Sequence, residues 1–290
     1  IFASEKRSTN IFKKNGFGNI MTYFWAAMVF WILAWMINIW IARQNETKIL
    51  NLFPPILFGV SVMFIWEASV VHFEVSPVIL PPPSAIYYKF ISSIPILWGD
   101  FVQTALKGAL SGYFMGCGAA FVVSLIADRF KFFERGVLPI ANFLAAMPII
   151  GIAPILVMWY GYGWQSKAAV VAVMVFFPIF INTVQGIKMS DKIHRDLMQT
   201  YNANYIQTLL KLRLATAMPF IFNGLKICTT LSLIGAIVAE FFGSPIRGMG
   251  FRISTEAPRF ALDMVWAEIT VAAIAGSLFY GGVVLLEKKS

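Results

Sequence analysis

The sequence predicts an all-α protein that crosses a membrane several times. Three observations carry this. Of the 290 residues, 59% are hydrophobic and 13% charged, against about 45–50% and about 25% in a soluble domain. The apolar residues fall in successive runs of about 20, the length a helix needs to cross a bilayer. The 23 Lys and Arg, against 14 Asp and Glu, gather mainly between those runs. Disorder is excluded. So is a disulfide scaffold, because the only cysteines, Cys117 and Cys228, both sit in apolar runs. The net charge of +9 does not point to nucleic acid, since no basic run carries stacking aromatics outside the apolar spans. It reads as loop charge of a membrane protein.

The first apolar run covers residues 20–41 and contains Trp25, Trp31, Trp35 and Trp40. The second covers 54–71 and holds Glu67 beside Trp66. A polar, Pro-rich segment over 75–100 follows, with Pro81-Pro82-Pro83-Ser84. Ser84 reads as the N-cap of a short amphipathic helix reaching Ile94. The third run, 102–127, carries Gly108, Gly112 and Gly116 at four-residue spacing, one smooth face for close backbone approach. A charged turn at 128–135 leads to the fourth run, 137–160, and the fifth, 168–187. A polar stretch over 188–213 precedes the sixth run, 218–242. A second, over 243–263, precedes the seventh, 264–286. The chain thus divides into a basic segment with an extra hydrophobic helix (1–53), a first core helix with the Pro-rich segment (54–100), and a core (101–287).

Counting cations gives the orientation. Arg129, Lys131, Arg135, Lys188, Lys192, Arg195, Lys211, Arg213, Lys288 and Lys289 fall on one side. Lys89, Lys167, Arg247, Arg252 and Arg259 fall on the other. The richer side is expected to be cytoplasmic. The first run conflicts: alternation puts residues 1–17 outside, while Lys6, Arg7, Lys13 and Lys14 argue for inside. The sequence begins at Ile1 rather than Met, and upstream residues are expected.

The stretch 188–213 is unusually long for a loop between membrane helices. Ile193, Leu197, Thr200 and Tyr201 share one helical face. Tyr205, Leu209 and Leu212 begin a second. Asn202 between them tolerates the left-handed conformation. Two short helices joined by a turn at the membrane surface are expected; a plain amphipathic linker is the alternative.

This stretch resembles the coupling loop of binding-protein-dependent ABC importer permeases. Asp196-Leu197-Met198 stands where that family has Glu-Ala-Ala, and Asn202-Ala203 where it has Gly-Ala. Leu214-Ala215 replaces Leu-Pro, while Pro219 and Gly224 match the later Pro and Gly. The resemblance covers residues 75–287 and is strongest to the nitrate/sulfonate/taurine branch. It includes Pro81-Pro82-Pro83-Ser84-Ala85, Ala146-Met147-Pro148 with Ala153-Pro154, Trp159-Tyr160-Gly161-Tyr162-Gly163 and Gln165-Ser166-Lys167. It continues through Phe176-Phe177-Pro178-Ile179-Phe180-Ile181-Asn182-Thr183, Ala239-Glu240-Phe241-Phe242-Gly243 and Gly248-Met249-Gly250. Arg195-Asp196-Leu197-Met198 and the run from Gly248 to Glu256 look most like members assigned to pyrimidine or thiamine-precursor uptake.

The resemblance implies the type I importer permease fold: about six core transmembrane helices, here with an extra N-terminal one. It implies a multi-pass protein of the bacterial inner membrane that carries a small polar solute. The implied partners are a second permease chain in a homodimer, two ABC ATPase subunits, a periplasmic binding protein and membrane lipid. The coupling residues carried over are Asp196, Leu197, Met198, Tyr201, Asn202, Ala203, Pro219 and Gly224. The chain itself is expected to bind no cofactor, with ATP and Mg held by the ATPase. Gly243 and Gly248 have the first spacing of a phosphate-binding loop, but Met249 follows instead of Lys.

Other residues are candidates on physical grounds. Pro148, Pro154 and Pro178 free backbone carbonyls, which a membrane helix tolerates where protein or a cavity satisfies them. They read as pathway-lining kinks, or as simple distortions. Asn142, Asn182, Thr183, Thr229 and Thr230 are candidate polar lining, although Thr often bonds only its own helix. Glu67, Lys107, Lys226, Glu240 and Glu268 are ionisable residues within spans. The rival function is a secondary transporter using Glu67, Glu240 and Glu268, but the two similar halves common in such carriers are not evident. No catalytic cluster emerges. His72 and His194 fall on opposite sides of the membrane, and neither cysteine has an adjacent base.

Overall fold

The computed structural model describes residues 17–42, 53–130, 149–243 and 246–289, and Gly136, Pro139, Ile140 and Phe143 between them. All regular elements among these residues are helices. They are α1 (Phe17–Ala42), α2 (Phe53–His72), α3 (Pro83–Ser92), α4 (Ile94–Arg129), α5 (Ile149–Tyr160), α6 (Trp164–Lys188), α7 (Lys192–Thr200), α8 (Tyr205–Phe241), α9 (Met249–Glu256) and α10 (Leu262–Glu287). Six of them, α1, α2, α4, α6, α8 and α10, are long and apolar enough to cross a membrane. Of the expected fourth span, α5 is described, together with Pro139, Ile140 and Phe143. Asn142 and Pro148 lie outside the described residues.

The described residues up to Ser92, together with Ala257–Ala267, form one compact unit. In it α1 packs along α2. Phe24 stacks on His72 at 4.7 Å, Phe30 meets Phe64 edge-on, and the small residues Ala27, Ala34, Ser61 and Ala68 are buried. The large side chains on the remaining faces are exposed, as suits helices that face lipid. Trp66 meets Trp266 edge-on at 4.8 Å.

The start of α3 differs from the expectation at Ser84. Ser84 lies inside the first turn of α3 and is not its N-cap. Pro83 occupies the first helical position and has no N–H to satisfy. The first free amide is therefore that of Ser84. It donates to Glu67 Oε2 at 2.9 Å, and the Ser84 hydroxyl donates to Glu67 Oε1 at 2.7 Å. The intramembrane carboxylate caps the helix from another element, favourably placed at its positive end.

The described residues of Ser93–Glu256 and Glu268–Ser290 form the second unit. At its centre lies α6, half of whose residues are buried, packed against α4 on one side and α8 on the other. The glycine face of α4 makes the first of these contacts. A Cβ on Gly112 would lie 2.5 Å from the Ala168 carbonyl oxygen, and one on Gly116 would lie 2.5 Å from that of Ala172. On α8, Gly224 meets Ile179 and Asn182, and Gly235 meets Met174 and Val171. Tyr113 ties α4 to α8 by donating to the Leu225 carbonyl at 3.1 Å. Around these seams lies one core of Ala105, Ala109, Cys117, Val175, Phe180, Cys228 and Ala236.

Helix α4 is longer than the predicted third span because Ile94–Phe101 is also helical. It widens to π-helical hydrogen bonding over Val102–Leu110, and α8 does so over Leu209–Arg213. Such wide turns often occur at functional sites.

Candidate functional site

The 188–213 stretch folds as two helices joined by a tight elbow. Asp191 caps α7, its Oδ1 accepting from the Ile193 amide at 3.1 Å. Asp196 lies mid-helix and exposed. At the other end Asn202 adopts φ +51°. The Asn202 amide donates to the Gln199 carbonyl at 2.8 Å and the Ala203 amide to the Met198 carbonyl at 2.9 Å. This pair of bonds is the Schellman C-cap, which needs a left-handed residue at that place. Asn can supply it at little cost where the resembling family has Gly.

The next helix starts at once. Asn204 and Gln207 form a reciprocal capping box, Asn204 N donating to Gln207 Oε1 at 2.9 Å and Gln207 N to Asn204 Oδ1 at 2.8 Å. Two opposed caps within four residues fix the turn. On α7, Ile193, Leu197 and Tyr201 stand at four-residue spacing and are 73%, 51% and 79% exposed. No residue of α7 is buried in the described structure. An apolar face held rigidly away from its own core can dock a partner.

The elbow is fastened to the core at α4. Asp128 receives the Arg213 guanidinium through both oxygens, at 2.6 and 2.8 Å, and the Tyr205 hydroxyl at 2.7 Å. The Arg129 guanidinium lies 5.1 Å above the Tyr205 ring. Beneath them Ile187, Leu209, Ala217 and Ile221 form an apolar floor, joined by Leu125 and Tyr205. Pro219 is exposed, whereas Gly224 is buried where α8 crosses α6.

A second polar cluster lies at the opposite end of α4 and α8. Asp100 accepts from the Gly248 amide at 2.7 Å and from Arg252 Nε at 2.9 Å. Both oxygens of Glu240 accept from the Thr104 hydroxyl at 2.9 Å, and one also accepts from the Gly250 amide at 2.8 Å. Thr104 in turn accepts from the Met249 amide at 2.8 Å. The free amides at the start of α9 are thus satisfied by two buried acids and a hydroxyl. Lys167 is fully buried and donates to the carbonyls of Tyr162, at 2.8 Å, and Gly243. Glu268 is fully buried beside Asp100, itself an acceptor, and its oxygens find no donor among the described residues.

Of the candidate lining residues, Asn182 donates to the Pro178 carbonyl at 2.8 Å, one turn back on α6. Thr229 is buried and donates to the Lys226 carbonyl of its own helix, while Thr183 is buried and Thr230 exposed. Pro154 and Pro178 are half-buried. Glu240 belongs to the polar cluster just described. Lys226 pairs with Glu287 at 3.0 Å, and Lys107 is exposed.

The family of binding-protein-dependent transport system inner membrane components matches residues 112–289, which include both α7 and the elbow. The chain belongs to this family. The permease is 30% identical over 227 residues to a probable ABC transporter permease protein of Haemophilus influenzae, covering 77% of this chain and 90% of that one. It is 30% identical over 237 residues to the formylaminopyrimidine transport permease protein ThiX of Halalkalibacterium halodurans, covering 80% and 92%. It is 28% identical over 237 residues to the putative aliphatic sulfonates transport permease protein SsuC of Bacillus subtilis, covering 81% and 85%. It therefore has the type I permease fold, with the N-terminal α1 in addition, and is a multi-pass membrane protein. The ABC permease reading is favoured over the secondary transporter.

The sequence reading missed Asp100, Thr104, Arg252, Asp128, Tyr205 and Arg213 as parts of these clusters. Asn204-x-x-Gln207 was the one local signal, since that spacing is a capping-box pattern. The others are brought together only by packing of distant elements.

Proposed function

We propose that the permease is one of two identical membrane chains of an importer, driven by separate ATPase subunits that dock on the 188–213 elbow. The elbow lies on the cytoplasmic side, in keeping with the cation count. A binding protein on the opposite side delivers a small polar solute. Pyrimidines and thiamine precursors are the solute class we favour, because the likeness to ThiX spans most of both chains. The observation that carries the coupling role is the exposed row Ile193, Leu197 and Tyr201 on a helix capped at both ends. Asp196 stands exposed on the same helix; its charge supplies a polar contact at the rim of the docked surface. Met198, Asn202 and Ala203 supply the turn. Pro154, Pro178, Asn182, Thr229 and Thr230 remain candidates for the pathway. ATP and Mg belong to the ATPase.

The test is uptake by vesicles containing the permease, its ATPase and its binding protein. Asp196→Ala, or deletion of Asn202 and Ala203, is expected to lower uptake by about tenfold or more while the membrane core stays folded. Unchanged uptake in both variants refutes docking at the elbow.

A further inference from the structure

We infer that Asp128 is a positioning residue for energy coupling: with Tyr205 and Arg213 it clamps the elbow to α4, making α4 a second output of ATPase movement. This rests on the elbow being the ATPase contact. The elbow is covalently continuous with α6, through α7, and with α8. Its tie to α4 is made of side chains alone. Three hydrogen bonds of 2.6 to 2.8 Å converge on the Asp128 carboxylate, two of them from one guanidinium. The side chains of Asp128 and Arg213 are 10% and 16% exposed, so the pair is partly shielded from water and salt. A forked Arg–carboxylate pair fixes direction as well as distance.

The local helix geometry serves this contact. Tyr205 and Arg213 are eight residues apart, which leaves them about 80° apart around a regular helix at 3.6 residues per turn. The wide turn at Leu209–Arg213 lies between them. One extra residue in a turn sets the helix back by about 100°, which brings the two side chains within about 20° of one face. Both then reach the same carboxylate. Without the clamp, α8 would meet this end of α4 through the apolar floor and the Arg129–Tyr205 ring contact, which hold direction less strictly than a forked ion pair.

At its other end α4 holds Asp100 and Thr104, which bind Arg252 and the amides of Gly248 and Met249. A push at the elbow is thus delivered along α4 to the start of α9, on the far side of the core. Coupling requires a physical element whose position both ends bias, and α4 is bonded at both.

The experiment uses the assembled importer in vesicles and measures solute moved per ATP hydrolysed, with ATPase co-purification as the check on assembly. Asp128→Asn, which keeps the shape and removes the charge, is expected to lower this ratio about tenfold, within the range of typical coupling energies. Asp128→Glu is expected to restore at least half of it. Tyr205→Phe, which keeps the ring and loses one bond, is expected to lower it about threefold. An unchanged ratio in an assembled Asp128→Asn importer overturns the inference. If that variant does not assemble, Tyr205→Phe decides, and an unchanged ratio there overturns it. A run in which Asp196→Ala uncouples and the Asp128 and Tyr205 variants do not would remove the clamp and leave docking intact. A run in which Asp196→Ala and the elbow deletion also have no effect would remove docking itself.

Discussion

Replacing Gly112 or Gly116 by Ala probes the seam on which the core is built. A Cβ at Gly112 would stand 2.5 Å from the Ala168 carbonyl oxygen and 2.5 Å from Val171 Cβ. At Gly116 it would stand 2.5 Å from the Ala172 carbonyl oxygen and 2.8 Å from Ala172 Cα. Carbon atoms in contact stand about 3.5–4.0 Å apart, so α4 must retreat by about 1 Å. Each obstruction includes a backbone carbonyl oxygen, which no side-chain rotation moves. A gap of about 1 Å forfeits roughly half of the dispersion well for each atom pair along the seam. Overpacking of this kind costs about 2–3 kcal/mol, near the top of the usual range. Ala returns up to about 1 kcal/mol of helix propensity. Gly118 is the internal control. It lies on the same helix, and a Cβ there meets nothing within 4 Å. Gly118→Ala keeps the propensity gain without the clash. Each seam variant should therefore unfold about 5–10 °C below Gly118→Ala, at about 2–4 °C per kcal/mol. Heating the detergent-solubilised permease and measuring the monodisperse fraction gives these midpoints. Equal midpoints for the seam variants and the control would refute close backbone packing of α4 on α6.

Two further outcomes follow from the polar contacts. Arg252→Ala removes the guanidinium from Asp100, which is only 1% exposed, and should cost about 3–5 kcal/mol, read as a lower unfolding midpoint in the same assay; Arg252→Lys should recover part of it. Glu67→Ala leaves the Ser84 amide and hydroxyl without their acceptor and should cost about 1–2 kcal/mol, the usual worth of a helix cap, with faster proteolysis of the segment around α3.

The residues legible in the sequence were those whose role depends on near neighbours. Gly108, Gly112 and Gly116 repeat every four residues, so their shared face followed from helix periodicity alone. Asn202 could be read as a turn because tolerance of φ > 0 belongs to the residue itself. The exposed row on α7 followed from four-residue spacing. Ser84 was misread for the complementary reason. Its chemistry and position suited a cap, but the acceptor came from Glu67, seventeen residues earlier. The same limit hid both acid clusters. Asp128 and Arg213 are 85 residues apart, and Asp100 and Arg252 are 152 apart. Each is an ordinary loop-edge charge until packing supplies its partner. The wide turns that aim Thr104 and Arg213 left no signal at all, since Val102–Leu110 and Leu209–Arg213 have unremarkable helix-forming sequences.

The placement of the two aspartates explains how so apolar a helix can carry two ionic contacts. Asp100 and Asp128 lie 28 positions apart on α4, about 40 Å at 1.5 Å per residue. The hydrocarbon core of a bilayer is about 30 Å thick. Both carboxylates therefore fall beyond or at the edge of the lipid interior, where holding a charge costs far less than at its centre. The intervening length contains the glycine face, whose contacts with α6 are short-ranged and non-directional. A helix with directional bonds at its ends and a smooth seam between them resists being pulled away from its partners at either end. It resists small axial shifts along the seam much less. That combination suits the proposed transmission of displacement from one face of the membrane to the other, with both ion pairs kept at the ends of the helix. It also makes the ends of α4 more sensitive to loss of charge than its middle, and its middle more sensitive to added volume than its ends.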